Sequence, residues 1–314
     1  MTTTIECKPF KTILEQIELL RSRGLIIDDA DKAAERLLNT NYYRLSAYSL
    51  TLRKDDVFYN NVHFEDICTL HDFDEKFRMI VFHYASFVEL TFRSLISYHH
   101  AQKYGPLGYR NSDNFNDEKN HVNNIQSIDK GIRRASDQAI QHHKEVLSPY
   151  LGYDYPAGIP LWVAVEEMSF DTLSKFYANM KPDDKRLIAH EYYDLGASYI
   201  ENWLHCTVIA RNISAHGGRF YNRPLSYSIK LPGFLQEHMN PKKAFAYIFA
   251  IYKLLPTDEM RSALIDDIRD NFKGFPFAKY EHLGFPSKWV ETLRSSNSKD
   301  TFNAVIYESK EQDK

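Results

Sequence analysis

Cysteine is nearly absent from this chain. The 314 residues hold three, Cys7, Cys68 and Cys206, far apart and with no Cys-x-x-Cys pair. That excludes a zinc ribbon and a disulfide-stapled scaffold. Glycine and proline are scarce too, at 12 each, too few for an all-β protein of many tight turns. Positive charge is not in excess: 39 Lys and Arg stand against 42 Asp and Glu, a formal net charge of −3. A globally basic nucleic-acid coat is thereby excluded, and any contact with a phosphate backbone must use a local patch. No run of 18 apolar residues occurs, and no charged-then-apolar leader opens the chain. The expectation is a cytoplasmic protein with no membrane partner.

What is present is a globular composition, 43% hydrophobic and 26% charged, on a chain long enough for one large domain or two modest ones. The 21 Tyr and 20 Phe are core material first and a base-stacking surface second. Apolar residues recur at three- and four-residue spacing, and no stretch sustains the alternation of a buried strand. The expected class is therefore all-α. Residues 1–55 read as an N-terminal helical cap and 56–230 as a helical core with a polar loop-and-helix insertion near 108–150. Helices over 231–295 pack on that core, and 296–314 form a flexible tail.

Pro9 is expected to open the first helix, and Gly24 to end it. Asp28 or Asp29 caps a second through Leu38, and a third runs from about Asn41 to Arg53. A long segment from Phe64 to about Tyr104 follows, with Asp72 or Asp74 as a break and Gly105-Pro106 as the stop. Gly108 to Asn124 reads as a loop. About Gln126 to Leu147 reads as a polar helix, either solvated or a lid over a substrate. Further helices are expected at Leu161 to Asn179 (one or a pair), Pro182 to Tyr193, Ser198 to His216, Phe245 to Leu255, Glu259 to Phe272 and near Pro286.

One stretch carries chemistry: Arg211-Asn212-Ile213-Ser214-Ala215-His216. A guanidinium can hold a phosphate bidentately, and an imidazole can move a proton near neutral pH. The spacing alone is weak. With 17 Arg and 13 His, about 0.7 such Arg-to-His spacings would arise by chance. Two occur, the other being Arg78 to His83. Context separates them. The four residues between Arg78 and His83 are all apolar and lie mid-helix, which fits surface or interhelix polar residues. Arg211 falls in the apolar stripe of Ile200, Leu204, Val208 and Ala215, where a buried charge requires a partner. Gly217 puts His216 in the last helical turn, where the helix dipole attracts positive charge.

No Asp or Glu occurs from Asn202 through Gln236, while Arg211, Arg219, Arg223 and Lys230 are interleaved with Phe220, Tyr221 and Tyr227. Such a strip can bind single-stranded RNA by backbone contacts and stacking. Equally, it can pack its aromatics beneath neighbouring helices.

Several blocks carry a family resemblance over nearly the whole chain. They are Lys8-Pro9-Phe10, Leu20 to Leu25, Asn41-Tyr42-Tyr43-Arg44-Leu45-Ser46-Ala47-Tyr48, Phe73-Asp74, and Glu89 with Arg93. Pro160-Leu161-Trp162 with Glu166, Ser169-Phe170 and Leu173-Ser174 follow. The last are the motif itself with Arg219 and Asn222-Arg223, and Gly284-Phe285-Pro286 with Trp289. In these the chain resembles the Abi-like abortive-infection proteins of bacteria, the AbiD/AbiF group, and its motif resembles that of HEPN-type ribonucleases. One departure is Asp171, where glycine is expected after Ser-Phe, and it puts the local loop geometry in question. The resemblance implies a HEPN-like helical bundle and a metal-independent endoribonuclease of phage defence, in which the RNA's own 2′-hydroxyl attacks the adjacent phosphate. On that basis His216 is the general acid or base and Arg211 holds the phosphate and its developing charge. Asn212 positions one or the other, and Arg219, Tyr221, Arg223 and Lys230 contact RNA. No metal or cofactor is implied. Some relatives are associated with a small RNA, which adds a small noncoding RNA inhibitor to the expected partners. The competing reading is a non-catalytic RNA-binding defence protein held by a structured small RNA.

Glu89 and Arg93 are spaced for an ordinary intrahelical ion pair, yet either Glu89 or Glu166 could instead hold Arg211. His99-His100 and His142-His143 are adjacent pairs that point to different sides of a helix, so no metal site is expected from them. Five residues turn an ideal helix by about 500°, leaving Arg211 and His216 about 140° apart. They converge on one phosphate only if the helix end deforms or two copies meet. A homodimer is therefore expected, with a monomer acting through a distorted helix end as the other option.

Overall fold

One helix organises the molecule. In the computed structural model, α4 spans Phe64–Tyr104, 41 residues, or about 60 Å at 1.5 Å per residue. The structure describes residues 9–295 except Asp137, Ser148, Tyr150, Leu151, Tyr153 and Asp154; Cys7, Lys8 and the tail expected over 296–314 lie outside the described residues. Phe73, Phe77, Val81, Tyr84, Val88, Phe92 and Ile96 of α4 are all buried, at the spacing of one helix face. By length and composition alone α4 could cross a membrane; here that apolar face is the spine of a helical bundle. Asp72 and Asp74 do not break it, contrary to expectation. Asp72 pairs with Arg36, and Asp74 turns inward to Tyr48 and Arg78. With their carboxylates engaged elsewhere, neither competes for the helix backbone.

Before α4 come α1 (Ile13–Ser22), α2 (Ala30–Thr40) and α3 (Tyr42–Ser46). Thr12, not Pro9, opens α1, through a capping box with Glu15. Asp29 caps α2 by accepting the amides of Asp31 and Lys32. Asn41 then takes φ 72°, and its side chain accepts the Tyr43 amide. A short polar residue tolerates that backbone and caps the next helix. The third helix is shorter than expected. It passes into a 3-10 turn, Tyr48–Thr51, and an antiparallel ribbon of β1 (Arg53–Lys54) and β2 (Val57–Phe58).

After α4, the segment expected to be a loop already contains helix. α5 runs Glu118–Arg134 because Asp117 accepts the Asn120 amide at its start. Ile128 and Ile132 are buried, and α5 packs on α8 (Phe170–Asn179), so it is neither fully solvated nor a detached lid. Gly131 permits α5 to approach the 3-10 turn Val165–Glu167 as well: a Cβ there would lie 2.5 Å from the Glu167 carbonyl oxygen. α6 (Gln138–His142) and α7 (Leu161–Ala164) are short. Asp171 sits in the first turn of α8 and pairs with Lys175 at 2.6 Å, so the departure from the family pattern leaves ordinary helix rather than an altered loop.

The remaining helices are α9 (Pro182–Tyr193), α10 (Ala197–Ala215), α11 (Ala244–Leu254), α12 (Asp258–Gly274) and α13 (Trp289–Arg294). Thirteen α-helices and one ribbon of two two-residue strands are thus present among the described residues, and the class is all-α. α10 lies against α4, α8, α9 and α11, while α12 covers another side of α4.

Candidate functional site

The site is built on the last turn of α10. His216 is its C-cap, at φ −96° and ψ 13°, and Gly217 follows at φ 64°. The Gly218 amide donates to Ile213 O at 2.7 Å and the Gly217 amide to Ser214 O at 3.2 Å. This double bond pattern is a Schellman end, which requires a left-handed residue where Gly217 stands. The helix stops immediately after the motif, and the His216 side chain is left exposed.

Arg211 is only half-buried, its side chain 34% exposed. The apolar stripe of Ile200, Leu204 and Val208 is buried as expected, but Ala215 is exposed; the stripe closes at Val208, and Arg211 sits on its edge. Its guanidinium lies over the Phe82 ring at 5.5 Å. Nη1 donates to Asn212 Oδ1 at 3.3 Å. The nearest carboxylate is Glu89, 4.0 Å from Nε, beyond hydrogen-bond range, and Nε is buried without a hydrogen-bond partner among the described residues.

Glu89 accepts a shorter bond, 2.6 Å, from Arg93, which also donates to Met168 O at 2.7 Å. Glu89 is thus the intrahelical partner of Arg93 and also the carboxylate that faces Arg211, without a hydrogen bond to it. Glu166 is exposed and forms no ion pair among the described residues, so it does not hold Arg211. It lies in a 3-10 turn, Val165–Glu167, that carries it to the surface.

Asn212 links the motif without closing it. Its side chain meets Arg211, and its carbonyl accepts the His216 amide at 3.0 Å. Arg211 and His216 make no direct contact with each other among the described residues.

The basic, aromatic strip divides. Tyr221 is 1% exposed, with its ring edge-on to Phe73 and its hydroxyl accepting the Lys279 amide at 3.3 Å. It is core and cannot stack on a base, which corrects the expectation. Lys230 is exposed, but its amine donates to Ser198 at 2.7 Å and lies over Tyr199. That is the opposite end of α10, about 20 Å from Arg211 along the axis, so Lys230 is also removed from the site. Arg219 and Arg223 remain. Both line a cleft with Arg44 of α3, beside Gly217 and Gly218.

The strip is held by a residue whose role the sequence did not disclose. Asp74, fully buried, accepts Tyr48 Oη at 2.7 Å, Arg78 Nη1 at 3.0 Å, the Phe220 amide at 3.1 Å and the Tyr221 amide at 2.9 Å. Burial pushes its carboxyl above the usual carboxylate range, and these four donors offset that only in part. The Phe73-Asp74 block was the only signal. Arg78 is thus an interhelix structural residue, and His83, exposed against Tyr84 and Phe87, completes no second motif.

Among the described residues, two groups of side chains could hold a metal ion, Asp28 with His63 and Glu65, and His71 with Asp72 and Glu75. Neither includes Arg211 or His216, nor either adjacent histidine pair. His100 is buried among Tyr104, Phe115 and Phe176, and His99 bonds Tyr192 at 2.9 Å.

Comparison with known proteins gives one match. The family model for Abi-like protein covers residues 35–222, more than half of the chain, from α2 through the motif to Asn222. No curated protein and no solved structure matches. On the extent of that match, the chain belongs to the Abi-like protein family.

Proposed function

We propose that this protein is a metal-independent endoribonuclease of the HEPN type, acting in abortive-infection defence against phage. Family membership supports a role in abortive infection in general terms. The observation that carries the enzymatic reading is the incomplete pairing of Arg211. Its guanidinium is held over Phe82 and near Glu89, yet Nε lacks a partner and the ion-pair distance is 4.0 Å. Nε is buried and out of a ligand's reach, but the side chain as a whole is 34% exposed and its one hydrogen bond, from Nη1 to Asn212, leaves the outer fork open to a phosphate. The exposed His216 imidazole, five residues on, supplies the proton transfer.

In this mechanism the RNA 2′-hydroxyl attacks the adjacent phosphorus, and the bond to the 5′-oxygen breaks. His216 takes the 2′-proton or gives one to the leaving oxygen. Arg211 stabilises the charge gathering on the non-bridging oxygens. Asn212 fixes the Arg211 fork through its side-chain oxygen.

The active unit in this reading is a homodimer. Arg211 and His216 diverge around the end of one helix, and each α4 leaves a stripe of large apolar groups uncovered beside Arg211: Met79, Phe82 and Leu90. Their spacing places them on one helix face, opposite the core side. A second copy covering that stripe on a two-fold axis would bring two motifs to one cleft. The RNA substrate, and a small RNA as inhibitor, are the partners this reading carries.

Purified protein should cut single-stranded RNA in excess chelator and leave 2′,3′-cyclic phosphate or 3′-phosphate ends. His216→Ala should abolish cleavage with its melting temperature unchanged, since that side chain is exposed. Products with 3′-hydroxyl ends, or full activity in His216→Ala, overturn the proposal.

A further inference from the structure

Arg44 is far in the chain from Arg219 and Arg223, yet the three line a single cleft of about 610 Å³ with Tyr43, Gly217 and Gly218. That size suits a small ligand or one nucleotide unit. No carboxylate lines the cleft, and none of the three guanidiniums forms an ion pair among the described residues. Arg44 donates to the Gly217 carbonyl. It thereby covers the negative end of α10, which would otherwise repel an anion. Arg219 donates to Tyr221 O at 2.8 Å and Asn222 O at 3.4 Å, and lies 5.9 Å over the Tyr48 ring. Burial, with the nearby Arg223 adding to it, makes its charged form costlier than usual. Asp74, the acid whose charge acts on Arg219, is already occupied by four donors. A set of like charges gathered in this way lacks its counter-charge. On the rim stands Tyr43, 85% exposed, a large ring that the fold does not use.

We propose that this cleft is a subsite for single-stranded RNA, in which Arg44, Arg219 and Arg223 hold backbone phosphates and Tyr43 stacks on an unpaired base. It deepens the ribonuclease reading by naming where the strand runs after leaving His216. It also replaces Tyr221, which is core, with a stacking residue from the N-terminal helices. Three guanidiniums without acids fit successive phosphates, and an exposed phenol fits a base face. Duplex RNA would offer no free base to Tyr43.

Binding separates this proposal from the cleavage reading. Fluorescence anisotropy of a labelled short oligouridylate is measured on full-length His216→Ala protein at several salt concentrations. Adding Arg223→Gln should weaken binding and reduce the slope of log affinity against log salt by about 0.7, the value for one phosphate contact on a single strand. Adding Tyr43→Ala should weaken it about fivefold or more without changing the slope, and Tyr43→Phe should restore it. Both side chains are exposed, so melting temperatures should not move. Lys230→Gln, at the far end of α10, should bind like the parent. Parental affinity and slope in both Tyr43→Ala and Arg223→Gln overturn the subsite. So does duplex RNA competing as well as the single strand, or polyglutamate competing better than RNA, which would point to an acidic protein partner. If the subsite binds RNA but protein with His216 intact cuts none, the cleavage reading fails and the subsite stands. If wild type cuts RNA while these variants bind like the parent, the reverse holds.

Discussion

Glu89 of α4 faces Arg211 of α10 at 4.0 Å while holding Arg93 at 2.6 Å. One carboxylate thus divides its charge between a structural arginine and the arginine of the motif. The shorter bond goes to the buried, structural partner. Arg211 is restrained rather than saturated, which keeps its fork available to an anion.

That sharing predicts the behaviour of Glu89→Gln. Arg211 should lose its orienting charge, and RNA cleavage should fall roughly tenfold, equivalent to about 1.4 kcal/mol. Stability should also fall by about 1–3 kcal/mol, because the buried Arg93 guanidinium exchanges its carboxylate for a neutral amide oxygen. Urea titration and single-turnover cleavage check the two effects separately. Wild-type cleavage by Glu89→Gln would show that Arg211 is oriented without it.

Asp74 is the anchor of the segment that follows the motif. Asp74→Ala should strand the buried Arg78 and release the Phe220 and Tyr221 amides, costing about 3–5 kcal/mol. Chemical denaturation measures it. Asp74→Asn can still accept from Tyr48 and one amide, and should lose less.

Gly217→Ala tests the helix end itself. A Cβ at φ 64° is strained, and it would lie 3.2 Å from Arg44 Nη1. Destabilisation of about 1–2 kcal/mol is expected, with loss of cleavage out of proportion because His216 is displaced. Gly217→Asn should be milder. Equal stability and activity in Gly217→Ala would mean that the turn is not required.

The buried His100 sets a pH dependence. Burial lowers its pKa from 6.5 to about 4. Above pH 6.5 both folded and unfolded chains carry it neutral, and its contribution is fully present. As pH falls from 6.5 toward 4, only the unfolded chain takes up the proton, so stability is lost, by up to roughly 3 kcal/mol. His100→Phe, packed among Tyr104, Phe115 and Phe176, should remove this component. The stability difference between wild type and variant, followed from pH 7.5 down to about 4.5, should change in that direction; a constant difference would exclude it.

The uncovered stripe on α4 predicts association. Light scattering should give about twice the mass of one chain. Leu90→Glu, which puts a charge on an exposed position, should yield a monomer with an unchanged melting profile and little cleavage. A monomeric, active wild type at nanomolar concentration would reject the composite site.

Most of the helix content was legible in the residues because an amphipathic stripe or a cap acts locally, although α3 proved shorter than expected and α5 began inside an expected loop. The spacing of Phe73, Phe77, Val81 and Val88 on α4, Pro182 at the start of α9 and Gly217 at the end of α10 each act within a few residues of where they stand. The Arg211 to His216 motif was legible for the same reason, as was Glu89 as a candidate partner. What lay beyond local reading was decided by contacts between distant segments. Whether Glu89 or Glu166 meets Arg211 depends on how α4 and α10 cross, and the 3-10 turn at Val165–Glu167 sends Glu166 to the surface. Whether Tyr221 stacks on RNA or fills the core depends on Asp74, which draws the Tyr221 amide to 2.9 Å and so buries the ring. The inward turn of Asp74, unbroken helix and all, follows from Tyr48 and Arg78 waiting inside. Charge and hydrogen bonding between elements carry no period along the chain, so only the tertiary structure could bring Arg44 beside Gly217 and gather three arginines into one cleft.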